Sequence, residues 1–225
     1  MRVALFAEGR SDIAVITNIL KGWLNIDRSD ISYEVPEFHY DETDLSIMKD
    51  VQHSNWTIVK KSCIDKSRIS KFIDSFDDNR FIVIQIDTME RFLIGYEVIN
   101  PLKSKKNTYS DELRINVIEK INQWLNNEFI QRIAYAVCIE EMEAWIYTIY
   151  SEKNNDTSEM NNPKEKLDSL LNKKLSGKKR NLLKIDDSFK KYTELSYEFR
   201  KKKKLLECIK KNSSLKFFCE SLDKL

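Results

Sequence analysis

The chain is short of glycine and proline, with four and three in 225 residues, which excludes fibrous and low-complexity architectures and favours helices. Histidine is scarcer still. His39 and His53 are too few for most zinc centres, and Cys63, Cys138, Cys208 and Cys219 form no CxxC pair. The cysteines are therefore expected to be reduced thiols in a cytosolic setting. Neither histidine lies near a recognisable nucleophile, so hydrolysis through a covalent serine or cysteine is not expected. No stretch reaches the roughly 18 apolar residues of a membrane span, so no membrane association is expected. Met1-Arg2 runs straight into VALFA, which argues against a signal peptide and for a cytoplasmic location.

What is present is enough for a core, with 41% hydrophobic and 11% aromatic residues. Charge is unevenly spread. Residues 151–225 carry 20 basic and 12 acidic side chains, a net +8, while residues 1–150 carry 18 and 24, a net −6. An acidic front half joined to a basic back half suits a protein that holds cations and a polyanion together. A well-solvated helical tail is the plainer alternative.

Residues 3–7, 81–86 and 133–139 run apolar without alternation, the pattern of strands buried on both faces. A fourth candidate lies in ISYEVPEFHY, where Pro36 demands an edge position or a break. Helical stripes separate them. Ile13, Ile16, Leu20 and Trp23 form one, closed by Asn25; residues 67–76 suggest a short second; Leu113, Val117, Ile121 and Trp124 form another, with Ser110 and Asp111 placed to cap it. The four tryptophans fall mostly on such stripes and read as core. Alternating strands and helices predict an α/β fold with a mainly parallel sheet flanked by helices. After the polar SEKNNDTSEMNN no strand pattern recurs. Pro163 suits a first helical turn with Asn162 as cap, and the chain ends on the stripe Leu215, Phe218, Leu222. The expected division is a sheet domain over 1–152 and a helical, basic C-terminal part over 153–225.

Each of these three apolar strands leads into an acid: Glu8 after the first, Asp87 after the second, Glu140 after the third. Ligands of open parallel sheets sit outside the carboxyl ends of the strands, so these acids are expected to converge. Converging carboxylates need a compensating cation, and hard oxygen ligands without His or Cys favour Mg²⁺ or Mn²⁺. Taken singly, Asp12 reads as a helix-start residue, Asp87 as a turn acid, and Glu140, Glu141 and Glu143 as a solvated helix start.

Glu8-Gly9 followed by Asp12 resembles the opening motif of TOPRIM domains, in the E-G-x-x-D form of the overcoming-lysogenisation-defect nucleases. Asp87 stands where TOPRIM has its D-x-D motif, although the chain reads Asp87-Thr88-Met89-Glu90, so Glu90 would supply the second acid from one residue further on. EEMEAW, residues 140–145, and SSLKFFCESL, residues 213–222, are similar to segments of small TOPRIM-like proteins, RloB-like proteins among them, from bacterial restriction and phage-defence neighbourhoods. The resemblance implies a TOPRIM-like domain and metal-dependent phosphodiester cleavage of DNA or RNA, by an effector or subunit of an anti-phage system. It makes Glu8 a general base or metal ligand and Asp12 and Asp87 ligands, with Glu140 and Glu143 completing a second metal position. Nucleic acid and a defence ATPase are the implied partners, and a homodimer is left open. Because the second motif departs from D-x-D, an inactive TOPRIM-fold binding module remains the alternative. An aspartyl-phosphate switch on Asp87 is a more distant one.

For the polyanion, Gly9 and Arg10 at the first helix start, Lys164 beside Pro163, the run Lys178, Lys179 and Arg180, and Lys201 and Lys202 in EFRKKKKLLECIKK are the candidate phosphate contacts. A charged helix face explains the lysine runs equally well.

Overall fold

The structure, a computed structural model, describes residues 1–36, 56–75, 79–102, 108–152 and 156–224. His39, His53 and residues 37–40 of ISYEVPEFHY lie outside the described residues, as do the side chains of Lys178 and Lys179. Four strands form one parallel sheet: β1 (Arg2–Phe6), β2 (Ile31–Val35), β3 (Arg80–Asp87) and β4 (Ile133–Cys138), in the order β2-β1-β3-β4. The fold is therefore α/β with a parallel sheet between helical layers. Pro36, which cannot donate to a ladder, directly follows β2 at the sheet edge.

Both faces of the sheet are covered, which is why its strands lack a polar alternation. Side chains still divide by parity. Val3, Leu5, Phe81, Val83, Ala134 and Ala136 enter one hydrophobic cluster, while Ala4, Phe6, Ile82, Ile84, Tyr135 and Val137 enter the other. The second cluster is covered by α2 (Trp56–Asp65), α3 (Ser67–Ile73) and α4 (Tyr109–Trp124). The stripe Trp56, Val59 and Cys63 that buries α2 was not read as a helix from the sequence. The start of α4 also differs from the expected cap. Thr108 is the N-cap, Asp111 pairs with Arg114, and Ser110 Oγ shares a hydrogen bond with Ser213 Oγ at 3.1 Å.

The first cluster is covered by α1 (Arg10–Leu24), α5 (Glu143–Tyr150) and the later helices α6 (Pro163–Lys174), α7 (Ser188–Leu195), α8 (Lys202–Cys208) and α9 (Ser213–Leu222). Leu167, Leu195, Phe199, Leu205 and Phe218 share it with Val3, Leu5 and Val83. The basic half of the chain is therefore packed on the sheet, and no strand after residue 156 appears among the described residues. No helix among them is long and apolar enough to cross a membrane.

α1 lies between the sheet and the C-terminal helices, so it is buried on more than one stripe, from Asp12 through Leu20. Asn25, left-handed at φ 54°, ends it with its N–H on Lys21 O. The close approach is at Gly22, where a Cβ would sit 1.9 Å from the Phe199 carbonyl oxygen. In an exposed helix, glycine to alanine is a gain. Here a backbone group blocks the methyl, so Gly22→Ala is expected to destabilise by about 1–3 kcal/mol. Urea unfolding checks this, and an unchanged or raised midpoint would contradict the packing.

Candidate functional site

The strand order turns back between β1 and β3. After β1 the chain crosses on the α1 face, and after β3 it crosses on the α4 face, which opens a crevice at the carboxyl ends of these two strands. Glu8 and Asp87 sit there. Phe6 pairs with Ile84, so the register carries Glu8 to the level of Ile86, one residue short of Asp87. Hydrogen bonds lock the two tips together. Asp87 N–H donates to Glu8 Oε1 at 2.8 Å, Glu8 N–H donates to Gln85 Oε1 at 3.0 Å, and Gln85 Nε2 donates to Asp87 Oδ1 at 2.8 Å. Tyr96 OH holds the Asp87 carbonyl at 3.0 Å, and Met142 N–H reaches Asp87 Oδ2 at 3.4 Å.

Asp12 is the third residue of α1, and its carboxylate turns back to the N–H of Gly9, the N-cap, and to its own N–H. This is half of a capping box. The Gly9 amide expected to meet a phosphate is therefore engaged by Asp12. Glu143 opens α5, is buried, and accepts a hydrogen bond from Tyr192 OH of α7. A helix of the basic half thus closes over the crevice. Arg10 extends the closure through a 3.9 Å ion pair with Asp187, the N-cap of α7.

The electrostatics are one-sided. Burial first, then Asp12 and Glu90, against the Asp87 N–H bond, push the Glu8 carboxyl up to about 8. Burial, then Glu143, against its amide bonds, raises Asp12 to about 7. Asp87 is driven well above the carboxylate range by burial and by Asp12, Glu8 and Glu143. The strongest charges acting on these three acids are all other acids. Four carboxylates therefore share one low-dielectric enclosure, with exposed Glu90 at its mouth.

Glu140 does not join them as expected. β4 stops at Cys138, and Glu140 takes the left-handed conformation, φ 62°, with its N–H on Thr88 Oγ1 at 2.7 Å and its carbonyl accepting from Met89 N–H at 3.0 Å. Such backbone strain persists only where neighbours over-determine it. The turn sends the Glu140 side chain to buried Arg91, 3.1 Å away, and brings Glu143 to the acids. Gln85, Tyr96, Arg91 and Tyr192 had no place in the sequence reading. Only Gln85 carried a signal, as a lone polar residue inside an apolar strand.

The candidate phosphate contacts scatter. Lys164 lies at the rim, its N–H 3.3 Å from Glu141 Oε2 and its charge lowering that carboxyl, which burial and Glu143 raise. Arg180 is exposed in the 3₁₀ segment Gly177–Lys184, which packs against α7. Lys201 pairs with Glu198, and Lys202 lies 3.2 Å over the Trp23 ring. Trp23 is at the far end of α1 from Gly9, about 20 Å along the helix axis, so Lys201 and Lys202 do not line the crevice. A groove of about 560 Å³ by Lys174, Lys204, Lys210 and Lys211 is also lined by Glu152 and Glu207, which pair with the first two.

No family model, curated protein or solved structure matches the chain. Its chemistry rests on the crevice itself. The donor set, buried acidic oxygens without His or Cys, fits a hard divalent cation. In the present arrangement no three Asp, Glu, His or Cys side chains among the described residues form a ligand group. The reason is visible in the bonds above: each carboxylate is turned to a protein donor. Ligation would exchange those donors for the ion.

Proton linkage makes this testable. Between its ordinary 4.5 and about 8, Glu8 binds more proton in the fold than in the unfolded chain. Stability therefore falls as pH rises through that window. Glu8→Gln keeps an acceptor for the Asp87 N–H and removes the charge. It is expected to exceed wild type by on the order of 2 kcal/mol at about pH 8 and to match it at about pH 5. The figure lies below full linkage because Glu8 keeps some exposure. Urea unfolding at the two pH values reads the difference, and equal stabilities at both would contradict the electrostatics.

Proposed function

We propose that the chain is a cytoplasmic, TOPRIM-like, metal-dependent nuclease that cleaves phosphodiester bonds of DNA or RNA. The reading includes service as an effector or subunit of an anti-phage system, beside an ATPase. One observation carries the chemistry: Glu8, Asp12, Asp87 and Glu143 are enclosed at the switch crevice with no dominant cationic partner. Such a cluster stays protonated near neutral pH or takes up a cation. The parallel sheet with its helical layers is compatible with a TOPRIM-like fold.

Asp12, Asp87 and Glu143 are assigned to hold the ion, with Glu90 at the mouth as a further ligand. A bound Mg²⁺ or Mn²⁺ would supply neutralisation of the phosphate and a water of lowered pKa. Glu8, its carboxyl raised to about 8, is placed to take a proton from the attacking water, and the leaving oxygen takes its proton from solvent. Gln85 orients Glu8 and Asp87 relative to each other. Lys164 and Arg10, on the rim, offset the charge of the scissile phosphate.

A second reading has its own support. Because every carboxylate already has a protein donor, the same fold could act as a binding module that docks on an ATPase or nucleic acid without cleaving.

The readings separate on short single- and double-stranded DNA and RNA. Cleavage is expected with Mg²⁺ or Mn²⁺ and not with chelator. Asp87→Asn and Glu8→Gln are each expected to slow it by at least about 10³-fold. Variants that cut as fast as wild type would overturn the assignment, and binding without cleavage by wild type would favour the second reading.

A further inference from the structure

We infer that the chain forms a two-fold dimer in which the turn after β3 of one copy packs into a groove on α2 of the other. The first observation is a run of exposed apolar side chains. Phe92, Leu93 and Ile94 are 62%, 50% and 91% exposed in sequence, and Ile99 and Leu102 follow at 82% and 89%. Single exposed apolar residues are ordinary, but a contiguous set marks an interaction surface.

The turn is also fixed in place. Leu93 N–H bonds Glu90 O at 2.9 Å, Tyr96 N–H bonds Leu93 O at 2.9 Å, and Val98 N–H bonds Arg91 O at 3.0 Å. Tyr96 is buried against the Trp56 ring, centroids 5.3 Å apart, and Arg91 is anchored to Glu140. Gly95 makes the bend at φ +94°, where a Cβ would meet Lys60 Nζ at 2.9 Å. An apolar apex held this firmly has little ordering entropy left to lose on docking.

The receptor lies beside it. Thr57, Lys60, Lys61 and Ile64 share one face of α2 and, with Asp65, line an apolar groove of about 290 Å³. Ile64 is 54% exposed, and Lys60 Nζ donates to Gly95 O at 2.9 Å, which makes groove and turn neighbours on one surface. The charges are complementary. The turn carries exposed Glu90 and Glu97, and the groove carries Lys60 and Lys61 against the single acid Asp65. An acidic apolar knob next to a basic apolar groove is self-complementary under a two-fold axis, each copy offering the knob to the other's groove. This commits the surface to a second copy of the chain. A different protein with a basic apolar cleft is the competing occupant.

Sedimentation equilibrium of the full chain over a wide concentration range tests this. The wild type is expected to reach twice the mass of one chain. Ile94→Lys, at a solvent-facing position, is expected to raise the dimer dissociation constant at least about tenfold with an unchanged circular dichroism spectrum. Glu97→Lys and Lys61→Glu should each weaken association alone and associate when mixed, because the mixed pair restores opposite charges in both halves of the interface. A wild type that stays monomeric, or a dimer indifferent to Ile94→Lys, overturns the inference. A crossed mixture that stays monomeric overturns the two-fold pairing.

Discussion

Enclosing several like charges at one point is the constraint around which this molecule is arranged. A buried carboxylate needs donors, protons or a cation. The fold supplies the first from the nearest backbone: the Asp87 N–H for Glu8, the Met142 N–H for Asp87, and the Gly9 N–H for Asp12. Gln85 and Tyr192 add side-chain donors. Three of these bonds join elements: Glu8 to Asp87 ties the tip of β1 to β3, Asp87 to Met142 ties β3 to the start of α5, and Glu143 to Tyr192 ties α5 to α7.

That last link joins the C-terminal helices to the crevice. Their apolar stripes complete the core on one face of the sheet, and Tyr192 and Asp187 bring α7 to the crevice. The net positive charge of this half is carried largely on outward surfaces, where several lysines are paired with neighbouring acids or lie along aromatic rings. Its contribution to the acidic centre comes from a phenol and from packing rather than from a lysine array.

Much of this was readable in the sequence. Unbroken apolar runs predicted a parallel sheet because both its faces are covered, and acids at strand tips predicted an acidic crevice because parallel strands present their carboxyl ends on one edge. What could not be read was conformation within a turn. One residue, Ile139, separates β4 from its first acid, and the left-handed Glu140 turns its side chain to Arg91, so that of the expected pair only Glu143 joins the other acids. Spacing alone does not reveal such a reversal. Nor could it reveal that Asp12 would occupy the Gly9 amide, or that Lys202 would settle on Trp23 at the wrong end of α1. The second motif, Asp87-Thr88-Met89-Glu90, proved to be a turn whose Thr88 and Arg91 support Glu140, with Glu90 left at the mouth.

Under the proposed function, these carboxylates exchange protein donors for a divalent cation. Anomalous diffraction from crystals grown with Mn²⁺ above the pH at which Glu8 and Asp12 ionise tests it most directly. A peak is expected at direct ligand distance, about 2.1 Å, from carboxylate oxygens of Asp87 and of at least one of Glu8, Asp12 and Glu143. A crevice without such a peak, its carboxylates still bound to the Asp87 N–H, Gln85 and Tyr192, would contradict it.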